Sequence, residues 1–172
     1  SFWPFTTIIQ RASLSGNVQL QARGSAPSSQ WQVPLTVTLH LTGVVAPAYA
    51  FTPTTDASGR FTVTGFVTGT YDVKVKKAHT LTNKKANAVL GPGDNYLNLG
   101  TLLEGDANDD GGVNAQDFAL LSAAYFKTRE EAGFDQRVDF NDDGRVNSQD
   151  YALLASNYFL WSDIEVTGAG GV

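Results

Sequence analysis

The sequence contains no cysteine in its 172 residues, which excludes a disulfide framework and a thiolate metal site. This absence leaves the redox compartment of the protein undetermined. No apolar run approaches the ~20 residues that a membrane-spanning helix needs. The opening residues 1–10 are apolar but lack the basic start and the cleavage site of a signal peptide. We therefore interpret the chain as a mature fragment of a longer protein, with Phe2, Trp3 and Phe5 as an extra edge segment or part of a linker.

Catalytic motifs are missing as well. The sequence has no G-x-S-x-G, no phosphate-binding loop and no H-E-x-x-H. Asp56, Asp72 and Asp94 are the only acidic residues of the first 103, and none has the partner in sequence that acid–base catalysis needs. His40 and His79 are isolated, and we expect them to be exposed rather than to bind metal. These absences predict a protein that is not an enzyme.

Charge is divided unevenly along the chain. Residues 1–103 carry a net charge of +5 and residues 104–172 carry −10, which gives the overall −5. Five lysines between Lys74 and Lys85 are too few to predict a nucleic-acid-binding surface. We expect these lysines to form a solvated face or to contact the acidic second half.

A stretch of 21 residues occurs twice in the acidic half, at 106–126 and at 139–159. The two copies are identical at 14 positions and begin 33 residues apart. Oxygen-bearing side chains dominate the first twelve positions, and apolar residues at helical spacing follow them. This combination is typical of a cation-binding loop that leads into a helix.

The loop positions that supply oxygen ligands to Ca²⁺ in an EF-hand are 1, 3, 5, 7, 9 and 12. In the two copies these predicted ligands are Asp106, Asn108, Asp110, the carbonyl of Gly112, Asn114 and Asp117, and Asp139, Asn141, Asp143, the carbonyl of Arg145, Asn147 and Asp150. Position 6, which must turn sharply, is Gly111 or Gly144. We therefore predict two Ca²⁺ ions. Mg²⁺ is less suited because it prefers a small octahedron with retained waters, and the alternative without metal is a pair of Asx-rich turns that cap two helices.

Neither loop follows a helical pattern, so each unit is half of an EF-hand. The duplicated D-x-N-x-D-G-x-V-N-x-x-D, followed by an aromatic residue and A-L-L, resembles the type I dockerins of bacterial cellulosomes over roughly residues 104–163. The resemblance implies binding to a cohesin domain of another protein and an extracellular or cell-surface location. It also implies that loop positions 10 and 11 and small residues one to two turns later contact the cohesin.

The two predicted helices each have an outward face that is small and almost uncharged. These faces are the predicted partner-binding residues Ala115, Gln116, Ala119, Ser122, Ala123 and Phe126, and Ser148, Gln149, Ala152, Ala155, Ser156 and Phe159. The opposite stripes are Phe118, Leu121 and Tyr125, and Tyr151, Leu154 and Tyr158, which we expect to face each other in a small core. Val113 and Val146 are expected to pair the loops. The alternative is that the outward faces pack on the first half of the chain.

The first half consists of short alternating runs separated by Gly, Pro, Ser and Thr, which predict an antiparallel, immunoglobulin-like β-sandwich. The predicted strands are residues 17–23, 33–41, 48–53, 60–65, 70–77, 86–90 and 95–103, with turns at 56–59 and 91–94. Val37, Leu39 and Leu41 are expected on one face, and Thr36, Thr38 and His40 on the other.

Residues 54–76 resemble a hairpin of the transthyretin-like regulatory domains of carboxypeptidases. The residues that carry the likeness are Gly59, Phe61, Val63, Gly69, Tyr71, Val73 and Val75. Such domains are usually accessory, so this resemblance also implies no catalysis.

The sequence as a whole predicts two domains: a β-sandwich at 1–103, with 1–12 as linker or edge segment, and a dockerin at 104–164, followed by a flexible tail at 165–172. The predicted function is Ca²⁺-dependent binding to a cohesin, which anchors an upstream protein to a scaffold or cell surface. Two alternatives remain, a carbohydrate-binding sandwich with a dockerin anchor and a rigid spacer of a surface protein. Trp31, Tyr49 and Phe51 are the candidates for stacking on a sugar, although packing in the core is favoured for them.

Overall fold

The structure is a computed structural model and describes residues 8–167. In this part of the chain seven strands precede two α-helices, a short eighth strand follows them, and single turns of 3-10 helix lie at Ser29–Trp31 and Gln136–Val138. In chain order the elements are β1 (Arg11–Leu20), β2 (Thr36–Leu41), β3 (Tyr49–Phe51), β4 (Arg60–Val67), β5 (Gly69–Lys76), β6 (Asn83–Leu90), β7 (Gly93–Leu102), α1 (Ala115–Ala124), α2 (Ser148–Ser156) and β8 (Ile164–Glu165). The predicted order of a β unit followed by an α unit is confirmed, whereas Phe2, Trp3 and Phe5 lie outside the described residues.

The strands form two sheets that enclose one hydrophobic core. One sheet has the order β4-β1-β7 and the other β3-β2-β5-β6-β8. The prediction of a purely antiparallel sandwich is wrong in two places, because β1 pairs with β7 and β6 pairs with β8 in parallel. Parallel neighbours need long connections. Here the chain between β1 and β7 builds most of the second sheet, and the chain between β6 and β8 contains both helices.

The first strand begins six residues earlier than predicted, at Arg11 rather than Asn17. Its inward positions include the small residues Ala12 and Gly16. Because residues 12–16 are rich in Ser and Gly, their sequence is more typical of a loop than of a strand. Gly16 is required because a Cβ there would lie 2.3 Å from Cζ of Phe61 on β4. Since β1 is the central strand of its sheet, the interpretation of residues 11 and 12 as linker or edge is also wrong.

Other strand boundaries differ by a few residues. The turn predicted at residues 56–59 is present, with Ala57 and Ser58 at its centre. The side chain of Asp56 stabilises it by accepting hydrogen bonds from the backbone N–H groups of Ser58 and Arg60. The turn predicted at residues 91–94 is shorter than expected, because Gly93 and Asp94 already belong to β7. On β2, Val37 and Leu39 are fully buried as predicted, but Leu41 at the strand end is 50% exposed.

Residues 60–76 do not form the hairpin that the transthyretin-like resemblance implies. β4 and β5 belong to different sheets, and the chain passes from one to the other at Thr68. Gly65, at φ +91°, interrupts the alternation, so that Phe66 is buried in the core together with Phe61 and Val63. The chain therefore crosses the sandwich where the sequence predicted a return within one sheet.

The three candidates for stacking on a sugar, Trp31, Tyr49 and Phe51, pack in the interior of the sandwich. Trp31 is buried and donates from Nε1 to the carbonyl of Gly24 at 2.8 Å. Tyr49 and Phe51 pack against Phe66, with ring centroids 6.1 and 6.2 Å away. The favoured interpretation, packing in the core, is confirmed for this group.

The helical unit has its own small core, which the sandwich helps to complete. Leu121 and Leu154 are buried as predicted, together with Val113 and Val146. Further members are Leu81, Ala107, Ala124, Val138 and Phe140. Leu81 lies between β5 and β6 and is fully buried, so the sandwich side of the chain contributes to the core of the helical unit.

The predicted inward stripes are only partly inward. Phe118 and Tyr151 contact each other edge to face, with ring centroids 6.2 Å apart, but they are 42% and 46% exposed. Tyr125 and Tyr158 are partly buried against the core. This aromatic pair joins the two helices and forms a ridge at the surface, while Leu121 and Leu154 are buried in the core.

The lysines of the sandwich face the acidic unit, as one of the two sequence interpretations predicted. Nζ of Lys74 lies 2.7 Å from a carboxylate oxygen of Asp163, and Nζ of Lys84 lies 3.1 Å from one of Glu165. Glu104, at the start of the acidic half, is buried with Nζ of Lys77 at 3.1 Å. Burial raises the pKa of Glu104 to about 7, although Lys77 and Arg23 oppose the shift.

Backbone and amide contacts join the two units further. Nδ2 of Asn157, after α2, donates at 2.7 Å both to Oε1 of Gln21 and to the carbonyl of Glu104. Ile164 and Glu165 form β8 beside Asn83 and Lys84 of β6. The prediction of a flexible tail from residue 165 is therefore wrong at its first residue, because Glu165 belongs to β8, which pairs with the edge of β6. The remainder of that prediction, residues 168–172, lies outside the described residues.

Candidate functional site

The two loops fold in the same way, around side chains that accept hydrogen bonds from the loop backbone. In the first loop Oδ2 of Asp106 accepts from the N–H of Gly111, and Oδ1 of Asp110 accepts from the N–H of Gly112, both at 3.0 Å. In the second loop Asp139 accepts from the N–H of Gly144 at 3.0 Å. Gly111 and Gly144 have φ of +90° and +83°, the left-handed conformation that the sharp turn at position 6 requires.

Position 9 of each loop is the N-cap of the following helix. The side chain of Asn114 accepts from the N–H of Gln116, while Oδ2 of Asp117 accepts from the N–H of Asn114 at 2.8 Å. Asn147 and Asp150 repeat this capping box at the start of α2. A capping box satisfies N–H groups that a helix start otherwise leaves free. The helices therefore start where the loops end because the same residues serve both.

The residues of the loops fit a hard cation. Oδ1 of Asp106 is buried and accepts no hydrogen bond, which leaves a carboxylate oxygen without a partner. Burial raises the pKa of Asp106, and Lys76 offsets this effect only in part. Burial likewise raises the pKa of Asp139 and Asp150. Carboxylates held in this way are stabilised by a positive charge, and carboxylate, amide and carbonyl oxygens are the ligands that Ca²⁺ prefers.

The carboxylates alone do not form a complete set of metal ligands. Within residues 8–167, no three His, Cys, Asp or Glu side chains converge as a metal-binding group. Asn108 and Asn114, with the carbonyl of Gly112, would have to complete the first set. Asn141 and Asn147, with the carbonyl of Arg145, stand at the same positions of the second set.

Each loop is contacted by a basic side chain that the sequence analysis did not single out. Nζ of Lys76 lies 3.1 Å from Oδ2 of Asp106 and 2.8 Å from Oδ1 of Asp109. In the second loop Nη2 of Arg129 lies 3.4 Å from Oδ2 of Asp139 and 3.0 Å from Oδ1 of Asp142. Both basic residues lie outside the repeat, so its pattern gives no signal for them.

The two histidines are less exposed than predicted. His40 is buried in β2, where Nε2 and Oγ1 of Thr38 are 2.9 Å apart. His79 is half-buried beside the first loop, and its backbone N–H donates to Asp109 at 2.8 Å. Burial lowers the pKa of the His79 ring, with the Asp109 carboxylate opposing this shift. Neither residue belongs to a metal-binding group in the described part of the chain.

The loop of each copy pairs with the segment that leaves the helix of the other copy. The N–H of Phe126 donates to the carbonyl of Val146, and the N–H of Phe159 donates to the carbonyl of Val113, both at 2.8 Å. The two valines are buried, so they pair the copies as predicted, but through these crossed contacts. Equivalent contacts in both directions give the helical unit an approximate two-fold symmetry.

The small, uncharged helix faces are both open to solvent. All twelve predicted partner-binding residues are exposed, and Phe126 and Phe159 are 81% and 77% exposed. The sandwich therefore covers neither face, contrary to the alternative considered from the sequence. Two symmetry-related hollows flank the ridge of Phe118 and Tyr151, with Ser122 lining one and Ala155 the other.

The loops and the helix faces are joined by one pair of side chains in each copy. Nδ2 of Asn108 donates to Oε1 of Gln116 at 3.1 Å, and Nδ2 of Asn141 donates to Oε1 of Gln149 at 2.9 Å. The asparagines are predicted ligands and the glutamines are predicted partner contacts. The orientation of the glutamines on the outer face is thus coupled to the conformation of the loops.

Comparison with known proteins agrees with this arrangement. Residues 104–160 match the family model described as dockerin type I domain. Two solved structures, both described as type II cohesin–X–dockerin complexes from Acetivibrio cellulolyticus, are similar to the chain. The one with a C-terminal interface mutant is 24% identical with a TM-score of 0.69, and the one with an N-terminal interface mutant is 22% identical with a TM-score of 0.70.

Both of these matches cover 88% of this chain and 97% of the other, so the likeness in fold extends over the sandwich as well as the helices. The curated proteins gave no match. In residues 8–167, no helix has the length and apolar character needed to span a membrane. The family model and the paired loop–helix units together identify residues 104–160 as a type I dockerin domain that follows a β-sandwich.

Proposed function

We propose that the chain is a non-catalytic assembly module whose dockerin binds a cohesin domain of another protein. The observation that carries this proposal is the pair of exposed, nearly uncharged helix faces on a dockerin. A solvated helix normally carries charged residues on its outer face, and an unpartnered small face is suited to close contact with a flat partner. The similar structures from Acetivibrio cellulolyticus, which are described as cohesin complexes, support the same partner class.

The contact would be made through one face at a time. The first face is Ala115, Gln116, Ala119, Ser122, Ala123 and Phe126, and the second is Ser148, Gln149, Ala152, Ala155, Ser156 and Phe159. The exposed phenylalanine at the end of each face provides a large apolar anchor, and small residues along the helix allow close approach of the partner.

Calcium dependence is part of the proposal. Two Ca²⁺ ions would be held by Asp106, Asn108, Asp110, the carbonyl of Gly112, Asn114 and Asp117, and by Asp139, Asn141, Asp143, the carbonyl of Arg145, Asn147 and Asp150. The contacts from Asn108 to Gln116 and from Asn141 to Gln149 would transmit ion binding to the partner faces. The chain would act extracellularly, as a secreted or surface protein, with the sandwich at 1–103 and the dockerin from residue 104.

The proposal is tested by binding of purified cohesin domains from the source organism, measured by isothermal titration calorimetry in Ca²⁺ and in EGTA. At least one cohesin is expected to bind in Ca²⁺ and none in EGTA. A Val89→Arg variant, altered at an exposed site on the sandwich, is the matched control and should bind normally. Failure of every cohesin would favour the rigid-spacer alternative.

A further inference from the structure

The basic side chains beside the two loops occupy equivalent places. Lys76 contacts Asp106 and Asp109, which are positions 1 and 4 of the first loop, and Arg129 contacts positions 1 and 4 of the second. The two basic residues come from unrelated parts of the chain, because Lys76 ends β5 of the sandwich and Arg129 lies between the copies. The same charge arrangement is therefore built twice by different means.

Each basic residue is fixed by backbone pairing rather than by its side chain alone. Lys76 is opposite Thr36 in the pairing of β5 with β2. The N–H of Arg129 donates to the carbonyl of Gly144, the position-6 residue of the second loop, at 2.9 Å. The backbones of Lys76 and Arg129 are thus held beside the loops by the fold.

We infer that Lys76 and Arg129 are positioning residues that set the Ca²⁺ affinity of the two loops, and that Lys76 makes the first loop depend on the sandwich. This inference rests on the calcium binding in the proposed function. A positive charge beside the position-1 carboxylate offsets repulsion among the loop carboxylates and opposes binding of a further cation. The fold would gain stability at low Ca²⁺ at the expense of ion affinity.

The position-4 aspartates give each basic side chain a second partner. Asp109 and Asp142 are outside the ligand positions of the loop. Lys76 and Arg129 therefore keep one carboxylate contact when the position-1 carboxylate binds an ion.

The test is calcium titration of the whole chain by isothermal titration calorimetry, with Lys76→Met, Arg129→Met and the double variant. Removing each charge should tighten one of the two sites about tenfold, which is the Coulomb effect of a nearby unit charge on a divalent ion in a water-like medium. In EGTA the helical circular dichroism that remains should be lost at a lower temperature in these variants than in the original protein. Lys76→Gln, which keeps a donor but loses the charge, should act like Lys76→Met.

Two controls separate charge at the loop from damage to the interface. Lys74→Met removes an ion pair to Asp163 across the same junction and should leave both calcium affinities unchanged. Lys76→Arg keeps the charge and should also leave them unchanged. The inference is overturned if Lys76→Met and Lys76→Gln remain folded and bind Ca²⁺ with unchanged or lower affinity. If the original protein binds no Ca²⁺, the calcium part of the proposed function fails together with the inference. This outcome is distinct from unchanged affinity in the variants, which would overturn the inference alone.

Discussion

Asp106 and Asp139 stand at the first position of the two loops, where their carboxylates are almost completely buried. Each accepts the backbone N–H of the glycine at position 6, so each also holds the loop in its turn. These residues are therefore the most sensitive points of the predicted calcium sites. Their removal affects both the charge and the shape of one loop.

Asp106→Ala and Asp139→Ala are each expected to reduce the number of bound Ca²⁺ ions from two to one, because the other loop keeps its own residues. Calcium titration calorimetry measures this stoichiometry. Glu130→Ala, which removes an exposed acid between the copies, is the matched control and should bind two ions. Two ions bound by either loop variant would show that position 1 is not a ligand.

At the scale of residues, the repeated sequence predicts the structure of the two loops and helices, but not the contacts that other parts of the chain make with them. The loop positions, the left-handed glycines and the N-caps follow from sequence because each depends on neighbours within about ten residues. Lys76 and Arg129 could not be singled out in this way, because both lie outside the repeat and Lys76 is 30 residues from Asp106. Helical periodicity predicts that Phe118 and Tyr151 are buried, but Leu121 and Leu154 occupy the buried positions and the aromatic pair lies at the surface.

The segment between β5 and β6 belongs to both units. Leu81 is fully buried in the core of the helical unit, while the strands on either side of it form the sandwich. The backbone N–H of Leu81 donates to the carbonyl of Leu103 at 2.9 Å, just before the first loop. This segment is thus the structural link between the elements of the two domains.

Leu81→Ala is expected to destabilise the dockerin by about 2–5 kcal/mol, because a buried leucine leaves a cavity when it is shortened. Urea unfolding followed by helical circular dichroism measures the loss. Leu41→Ala is the matched control, since Leu41 is half exposed on β2 and does not reach the dockerin core. Equal losses for the two variants would mean that Leu81 does not support the helical unit.

The junction should also be stiff. Thr101 to Asp106 contain no flexible spacer, and Asn157 and β8 connect the far end of the dockerin to the sandwich. The two units are therefore expected to tumble as one body, with the same rotational correlation time by NMR relaxation. Distinctly shorter correlation times for the separate units would contradict this expectation.

At the scale of elements, the seven strands of the sandwich could be predicted from alternation and turn residues. Their partners could not, because the parallel pairing of β1 with β7 joins segments that are far apart in sequence. The start of β1 was missed because Ala12 and Gly16 carry too little apolar surface to mark an inward face. β8 was missed because two residues give no periodicity, and only the free edge of β6 makes them a strand.

The molecule as a whole combines a large core with a small one. The dockerin has the size at which a hydrophobic core alone is marginal, and such domains usually depend on metal ions or other cross-links. Chelation with EGTA should therefore reduce helical circular dichroism while the sandwich persists, because ion binding contributes directly to folding. Hydrogen exchange of β1 and β5 amides monitors the sandwich in the same sample. An unchanged helical signal in excess EGTA would rule out the dependence.

The approximate two-fold symmetry predicts two ways of binding one cohesin, rotated by about 180°. The candidate contacts differ as Ala115 and Ser148, Ser122 and Ala155, and Ala123 and Ser156, while Gln116 and Gln149 are the same, as are Phe126 and Phe159. Each exchange of a hydroxyl for a hydrogen changes a rim contact by about 1 kcal/mol or less. The two orientations should therefore have similar affinity.

Ala123→Arg should accordingly reduce cohesin affinity only slightly, because the second face remains intact. Ser156→Arg alone should have the same small effect, whereas the two substitutions together should abolish binding. Calorimetry with one cohesin compares the original protein, the two single variants and the double variant. Val89→Arg again controls for the added charge. If either single variant on a helix face loses binding completely, one face is the sole interface and the symmetry argument is wrong.

The late position of β8 in the chain has a consequence for biosynthesis. During translation β6 is made before either helix, and its outer edge stays unpaired until Ile164 and Glu165 have emerged. Exposed edges promote association between nascent chains, and lysines on an edge reduce it. Lys84 and Lys85 on β6 are therefore expected to disfavour such association, and Lys84 later becomes the ion-pair partner of Glu165 in the short strand that pairs with Asn83 and Lys84.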